Sequence, residues 1–171
     1  MSTGYDFGKE DLTTLLIRRF FPERTDRESK IIHAWLEARG RDFDRWSFSV
    51  RVGTGVAPDP SHLPGVQYNT VFSSRKRIDI LCWKGDQPSI GECKLRVNPQ
   101  ALGQLHTYRH LWLEENPNAR EPRLFAIGAF SDDDTIRVLN ANGVDVFLYP
   151  EAITVGGVPP GGVSPDHNPP A

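Results

Sequence analysis

The segment Arg77–Tyr108, RIDILCWKGDQPSIGECKLRVNPQALGQLHTY, decides the fold. Ile78, Ile80 and Cys82 fall on one predicted face and Arg77, Asp79 and Leu81 on the other, the period-two pattern of a half-buried strand. Lys84-Gly-Asp-Gln87 reads as a turn. Pro88 opens a second strand, where its missing N–H is tolerated, and Ser89 to Leu95 completes a hairpin. Asn98-Pro99 then starts a helix, with asparagine as the cap and proline at the first helical position. This helix runs to about Glu115 and ends before Asn116-Pro117.

Working outward, Leu12, Leu15, Leu16 and Phe20 recur at helical spacing over Asp11–Phe21, and Pro22 ends the run. Thr25-Asp-Arg-Glu28 reads as a capping box that starts a second helix, expected to reach Arg39 and stop at Gly40. Its buried stripe is Ile31, Ile32, Trp35 and Leu36. Glu28 lies on that face, so its carboxylate has two readings, a helix cap or an inward-pointing ligand. Trp46–Val52 alternates as a strand, Gly53–Gly65 is a long Pro- and Gly-rich loop, and Asn69–Trp83 reads as β-like.

Downstream, Arg123–Phe130 is an apolar strand, Asp132–Asn142 a short helix and Val144–Tyr149 a last strand, which implies a parallel crossover. The expected fold class is therefore α/β: a mixed central sheet, an antiparallel meander plus parallel crossover strands, flanked by helices. Residues 1–155 form one domain, with N-terminal helices over 9–39 and a core over 25–149. Residues 156–171 contain four glycines and five prolines, a composition that builds no core, and read as a tail.

Bulk composition narrows the function classes. A chain of 171 residues holds one ordinary core. Twenty basic against 22 acidic residues give a net charge of −2, so any contact with nucleic acid needs a local patch. Arg75-Lys76-Arg77 is such a patch. Two cysteines, Cys82 and Cys93, exclude a disulfide scaffold and a four-cysteine metal site. No run has the length of a membrane span and the N-terminus has no signal pattern, so a cytoplasmic protein is expected. His106 and His110 are four apart on the helix, without the glutamate of a zinc-binding His-Glu-x-x-His site.

The hairpin also carries chemistry. Pairing Trp83 with Pro88 places Asp79 opposite Glu92, with Cβ atoms about 5 Å apart, a repulsive arrangement unless a cation or a shared proton lies between them. Lys94 points to the same side. Oxygen donors without histidine or thiolate favour Mg²⁺ or Mn²⁺, for which the backbone carbonyl of Cys93 is a further ligand. Such an ion polarises a phosphodiester and activates water, and Lys94 would orient that water or offset developing charge.

Asp79, Glu92-Cys93-Lys94 and the Gln104–Tyr108 pair together resemble the PD-(D/E)XK nuclease superfamily, in particular its RecB-like exonuclease branch. The resemblance covers roughly Thr25 to Tyr149. It implies a restriction-endonuclease-like core and Mg²⁺-dependent hydrolysis of DNA, with Asp79 and Glu92 as metal ligands and Lys94 as the catalytic lysine. It also implies that Gln104 and Tyr108 contact substrate or the active site, and that Glu28 matches an acidic residue of the first core helix. Ile78 stands where the name-giving proline would be, and the cysteine cluster of iron–sulfur members is absent. No phosphate-binding loop of a motor is present, so a motor would be a separate chain. The alternative is a catalytically inactive module of this fold that binds nucleic acid or a protein partner; either reading admits a homo-oligomer.

Overall fold

The computed structural model describes residues 4–153, so the proposed tail lies outside the described residues. The elements in chain order are β1 (Tyr5–Gly8), α1 (Leu12–Leu16), α2 (Asp26–Arg39), β2 (Arg45–Val52), α3 (Pro64–Ser74), β3 (Lys76–Lys84), β4 (Gln87–Arg96), α4 (Gln100–Glu115), β5 (Arg123–Phe130), α5 (Asp133–Ala141) and β6 (Val144–Leu148). The strands form one sheet in the order β1-β2-β3-β4-β5-β6. The pairs from β1 to β4 are antiparallel, and β4–β5 and β5–β6 are parallel, crossing over through α4 and α5. The fold is α/β with a mixed sheet, as the hydrophobic periods require.

Each face of the sheet has its own core. On one, Ile31, Ile32, Trp35 and Leu36 of α2 pack on Trp46, Phe48, Ile80, Cys82, Cys93 and Phe125. On the other, Ala101, Leu105, Tyr108 and Trp112 of α4 pack on Val50, Ile78, Leu81, Ile90 and Ala126. The α2 stripe is the one expected from the sequence. Thr25 caps the helix through a complete capping box with Glu28, and Gly40 follows its last residue.

Several expectations are corrected. The first helix is five residues, Leu12–Leu16, rather than Asp11–Phe21. Phe20 is 53% exposed and Phe21 is the buried ring, its N–H donating to the Ser29 hydroxyl at 3.1 Å. Residues 69–74 are helical, not β-like. A strand there would extend β3, but its partner β2, whose other edge carries the short β1 that the sequence pattern did not mark, ends at Val52 opposite Lys76 and is followed by Gly53 and Gly55 at φ of 80° and 74°. Pro64 at the first helical turn instead starts α3, and the hydroxyls of Thr70, Ser73 and Ser74 donate to carbonyls one turn back. The fourth helix starts one residue later than expected, at Gln100, and the Asn98 side chain still accepts the Gln100 N–H at 3.1 Å.

The predicted faces of β3 also fail at one point. Ile80 and Cys82 pack under α2, but Ile78 packs with Leu81 under α4. The partner strand switches at the same level: Phe48, opposite Ile80, is under α2, and Val50, opposite Ile78, is under α4. Between them stand Ser49, with φ of 56°, and Asp79. A non-glycine residue in the left-handed region is sparsely populated and is held by its surroundings. Ser49 is buried, and its hydroxyl donates to the Pro22 carbonyl at 2.8 Å. The sheet therefore breaks its alternation at the level of Asp79.

Gly91 sits beside Phe125 in the parallel register, and a Cβ there would stand 2.3 Å from the Phe125 ring. That ring is stacked on Trp35 at 5.2 Å and 13°, so it has little room to yield. Gly91→Ala is expected to lose about 2 kcal/mol of stability through overpacking, read by urea denaturation. An unchanged midpoint would show that the ring moves freely.

Candidate active site

The hairpin register is the one expected, with Trp83 opposite Pro88, and its two-residue connection has Gly85 at φ of 58°. The ladder runs only to Ile80 and Gly91, so the next pair, Asp79 and Glu92, is not held by backbone bonds. Instead the Asp79 Oδ2 accepts the Cys93 N–H at 2.9 Å, taking the place of a strand carbonyl. Asp79 and Glu92 are each 3% exposed.

The chain itself neutralises both carboxylates. Lys94 Nζ lies 2.7 Å from Glu92 Oε1, and Arg24 Nη2 lies 2.6 Å from Asp79 Oδ1, both of the latter side chains 4% exposed. Lys94 was expected beside the acids; Arg24 was missed. It lies in the short loop before α2, and no spacing rule links that loop to β3. The only signal available was the need for positive charge beside two buried acids. Its neighbour Glu23, at φ of 56°, accepts from Arg51 Nη2 and Arg77 Nη1, each at 2.7 Å. The loop thus grips the sheet through Glu23 and the site through Arg24.

Burial pushes the Glu92 carboxyl up to about 7, with the charge of Asp79 adding to the rise and Lys94 opposing it. Burial likewise raises Asp79, against the pull of Arg24 and of the Cys93 N–H. Tyr108, on the α4 face, donates nothing to these acids, but burial and then the charges of Glu92 and Asp79 push its phenol up to about 12. Gln104 Nε2 donates to the Tyr108 hydroxyl at 3.1 Å. The predicted pair is therefore formed, and it faces the carboxylates electrostatically.

Other residues are placed differently. The Glu28 Oε2 accepts from the Thr25 N–H at 3.0 Å and hydroxyl at 2.9 Å, so the cap is the role its geometry shows. Arg75 bonds to Glu115 at 2.9 Å and to the Gly53 carbonyl at 2.6 Å, pinning the following loop to α4 rather than presenting its charge to a ligand. Arg77 is held by Glu23, and Lys76 is exposed. His110 lies near Glu114 and His106 near Arg109, so they do not converge on a common ligand.

Among the described residues no group of three or more His, Cys, Asp and Glu side chains converges as a metal site. The donors left to an ion would be the two carboxylates and, as the sequence suggested, the Cys93 carbonyl. That set suits Mg²⁺ or Mn²⁺, which take one or two carboxylates and complete their shell with water and substrate. Glu92 Oε2 is buried without a hydrogen-bond partner, an orphaned acceptor of the kind such an ion satisfies. Asp79 has both oxygens engaged, so it would serve only by exchanging Arg24. No protein-family model, curated protein or solved structure matches the chain.

Two consequences are measurable. The folded-state pKa of Glu92 lies above its ordinary 4.5, at about 7, so the folded chain binds more protons than the unfolded one across that window. Its contribution is present below about pH 4.5 and is lost as the pH rises through 7. Glu92→Gln is therefore expected to stabilise the metal-free protein by on the order of 2–3 kcal/mol at about pH 8 and not at about pH 4.5, measured by thermal melts. An equal effect at both pH values would rule out the raised pKa.

Arg24→Met leaves Asp79 as a buried acid without a counter-ion, an expected loss of about 3–5 kcal/mol near neutral pH. The loss should shrink on acidification, as Asp79 takes up a proton. A loss independent of pH would mean that Arg24 acts through packing alone.

Proposed function

We propose that this chain is a metal-dependent nuclease of the PD-(D/E)XK type, related to the RecB-like branch, hydrolysing phosphodiester bonds in DNA. The observation that carries the reading is the joint placement of Asp79, Glu92 and Lys94 where the β3–β4 ladder opens, with the Gln104–Tyr108 pair on the adjoining helix. A structural ion pair has no use for a break in the sheet, an orphaned carboxylate oxygen and a lysine 26% exposed at the rim.

On this reading each residue has a role. A divalent ion held by Glu92, Asp79 and the Cys93 carbonyl would supply Lewis acidity at the phosphate and lower the pKa of a bound water. Lys94, reaching solvent from its pair with Glu92, is positioned to orient the attacking water or to offset charge on the phosphoryl oxygens. Glu92, ionising near neutral pH, couples the charge of the site to the working pH range. Gln104 positions the Tyr108 hydroxyl, which its raised pKa keeps as a neutral donor to substrate.

Arg24 favours a second reading. With both acids already paired to cations of the chain, the fold is complete without metal, as a non-catalytic module binding nucleic acid or a protein partner would be. One assay separates the two. Labelled single- and double-stranded DNA incubated with Mg²⁺ is expected to be cleaved by the wild type and at least ~10²-fold more slowly by Lys94→Ala, the usual scale for losing one charge-stabilising group. Cleavage at the same rate by both proteins sinks the assignment; DNA binding without cleavage by the wild type supports the inactive module.

A further inference from the structure

α3 has no buried residue; Leu63 just before it is 75% exposed, and Val66 and Tyr68 within it are 46% and 67% exposed. Its aromatic rings are nevertheless ordered: Tyr68 stacks on Phe72 with centroids 6.0 Å apart and planes 14° from parallel. The guanidinium of Arg51 covers Phe72 at 5.1 Å from its centroid. Arg51 in turn shares the Glu23 carboxylate with Arg77, each at 2.7 Å, and Arg77 lies two residues before Asp79. Contacts therefore run from an exposed ring on α3 through a second ring, Arg51 and Glu23 to Arg77, whose strand continues into the carboxylate site.

We infer that Tyr68 and Phe72 form a stacking platform for unpaired bases, which makes single-stranded DNA, or a duplex with a frayed end, the substrate of this site. The inference rests on the nuclease reading and adds the substrate class to it. Stacking on aromatic side chains is how proteins hold single strands without reading sequence, and it needs bases whose faces are free, which an intact duplex lacks. A protein partner would also cover an apolar helix. The choice of nucleic acid follows from the direction of the stack: its inner end is two guanidiniums that share the single Glu23 carboxylate and so keep a net positive charge for a passing phosphate, while its outer end is a planar ring. Tyr68 is the outer residue and carries no structural burden, so its replacement leaves the fold intact.

The experiment measures binding apart from cleavage. Fluorescence anisotropy of a labelled oligothymidylate of about 15 nucleotides is followed in EDTA with the full chain, next to a blunt duplex of equal length. The wild type is expected to prefer the single strand. Tyr68→Ala and Tyr68→Leu should each weaken oligothymidylate binding by about 10-fold and leave duplex binding unchanged, whereas Tyr68→Phe should retain it. Unchanged binding by Tyr68→Ala, or an equal loss on duplex, overturns the platform. Retention by Tyr68→Leu also overturns it, because an apolar surface would then suffice. Failure of the nuclease reading looks different: the wild type binds the single strand through Tyr68 but cleaves nothing when Mg²⁺ is restored.

Discussion

The structure depends on keeping two carboxylates, Asp79 and Glu92, inside a sheet. Neither could stay ionised there alone, because burial removes the water that stabilises charge. The chain meets this with one cation for each acid, Arg24 on Asp79 and Lys94 on Glu92, and with a backbone N–H, that of Cys93, on the second oxygen of Asp79. The compensation is uneven. Asp79 is enclosed and fully engaged, while Glu92 keeps one unpartnered oxygen and a lysine that reaches solvent. The asymmetry leaves Glu92, and not Asp79, as the acid of the hairpin with an oxygen open to a further partner.

Such a site requires the regular sheet to fail locally. Ser49 in the left-handed region and Asp79 across from it turn β2 and β3 from one core to the other, and the β3–β4 ladder ends one pair short of the acids. The space that opens is filled by side chains instead of backbone. Gly91, immediately before Glu92, lets the Phe125 ring lie against the strand, so α2 seals the far side of the break through Trp35. A rigid, apolar floor under a polar opening lets a few charged groups keep fixed positions.

The N-terminal segment is part of this arrangement. Residues 22–25 supply the Pro22 carbonyl that receives the Ser49 hydroxyl, the Glu23 carboxylate that gathers Arg51 and Arg77, and Arg24 itself. Thr25 then opens α2, whose capping box with Glu28 fixes the direction in which the loop leaves the helix. The acidic residue on that helix and the basic residue before it have thus divided two tasks: Glu28 orders the helix start, and Arg24 serves the site.

Much of this was legible from residue order. The periods of the apolar residues gave the α2 stripe, five of the six strands and the parallel crossover through α5, because two-residue and 3.6-residue repeats can each bury a face in only one way. Turn chemistry at Lys84–Gln87 set the register, so the proximity of Asp79 and Glu92 and the need for positive charge beside them followed from the chain alone. Tertiary structure decided the rest. Residues 69–74 read as a strand by composition, but the β2 partner that an extended β3 would need ends at Val52 and gives way to Gly53 and Gly55 in the left-handed region, and Ile78 left its predicted face because Ser49 and Asp79 interrupt the pleat. Glu28 was open between two roles until its oxygen was seen on Thr25. Arg24 was invisible because an ion pair between distant segments obeys no local spacing; it forms only when the fold brings the buried Asp79 within reach of the loop before α2.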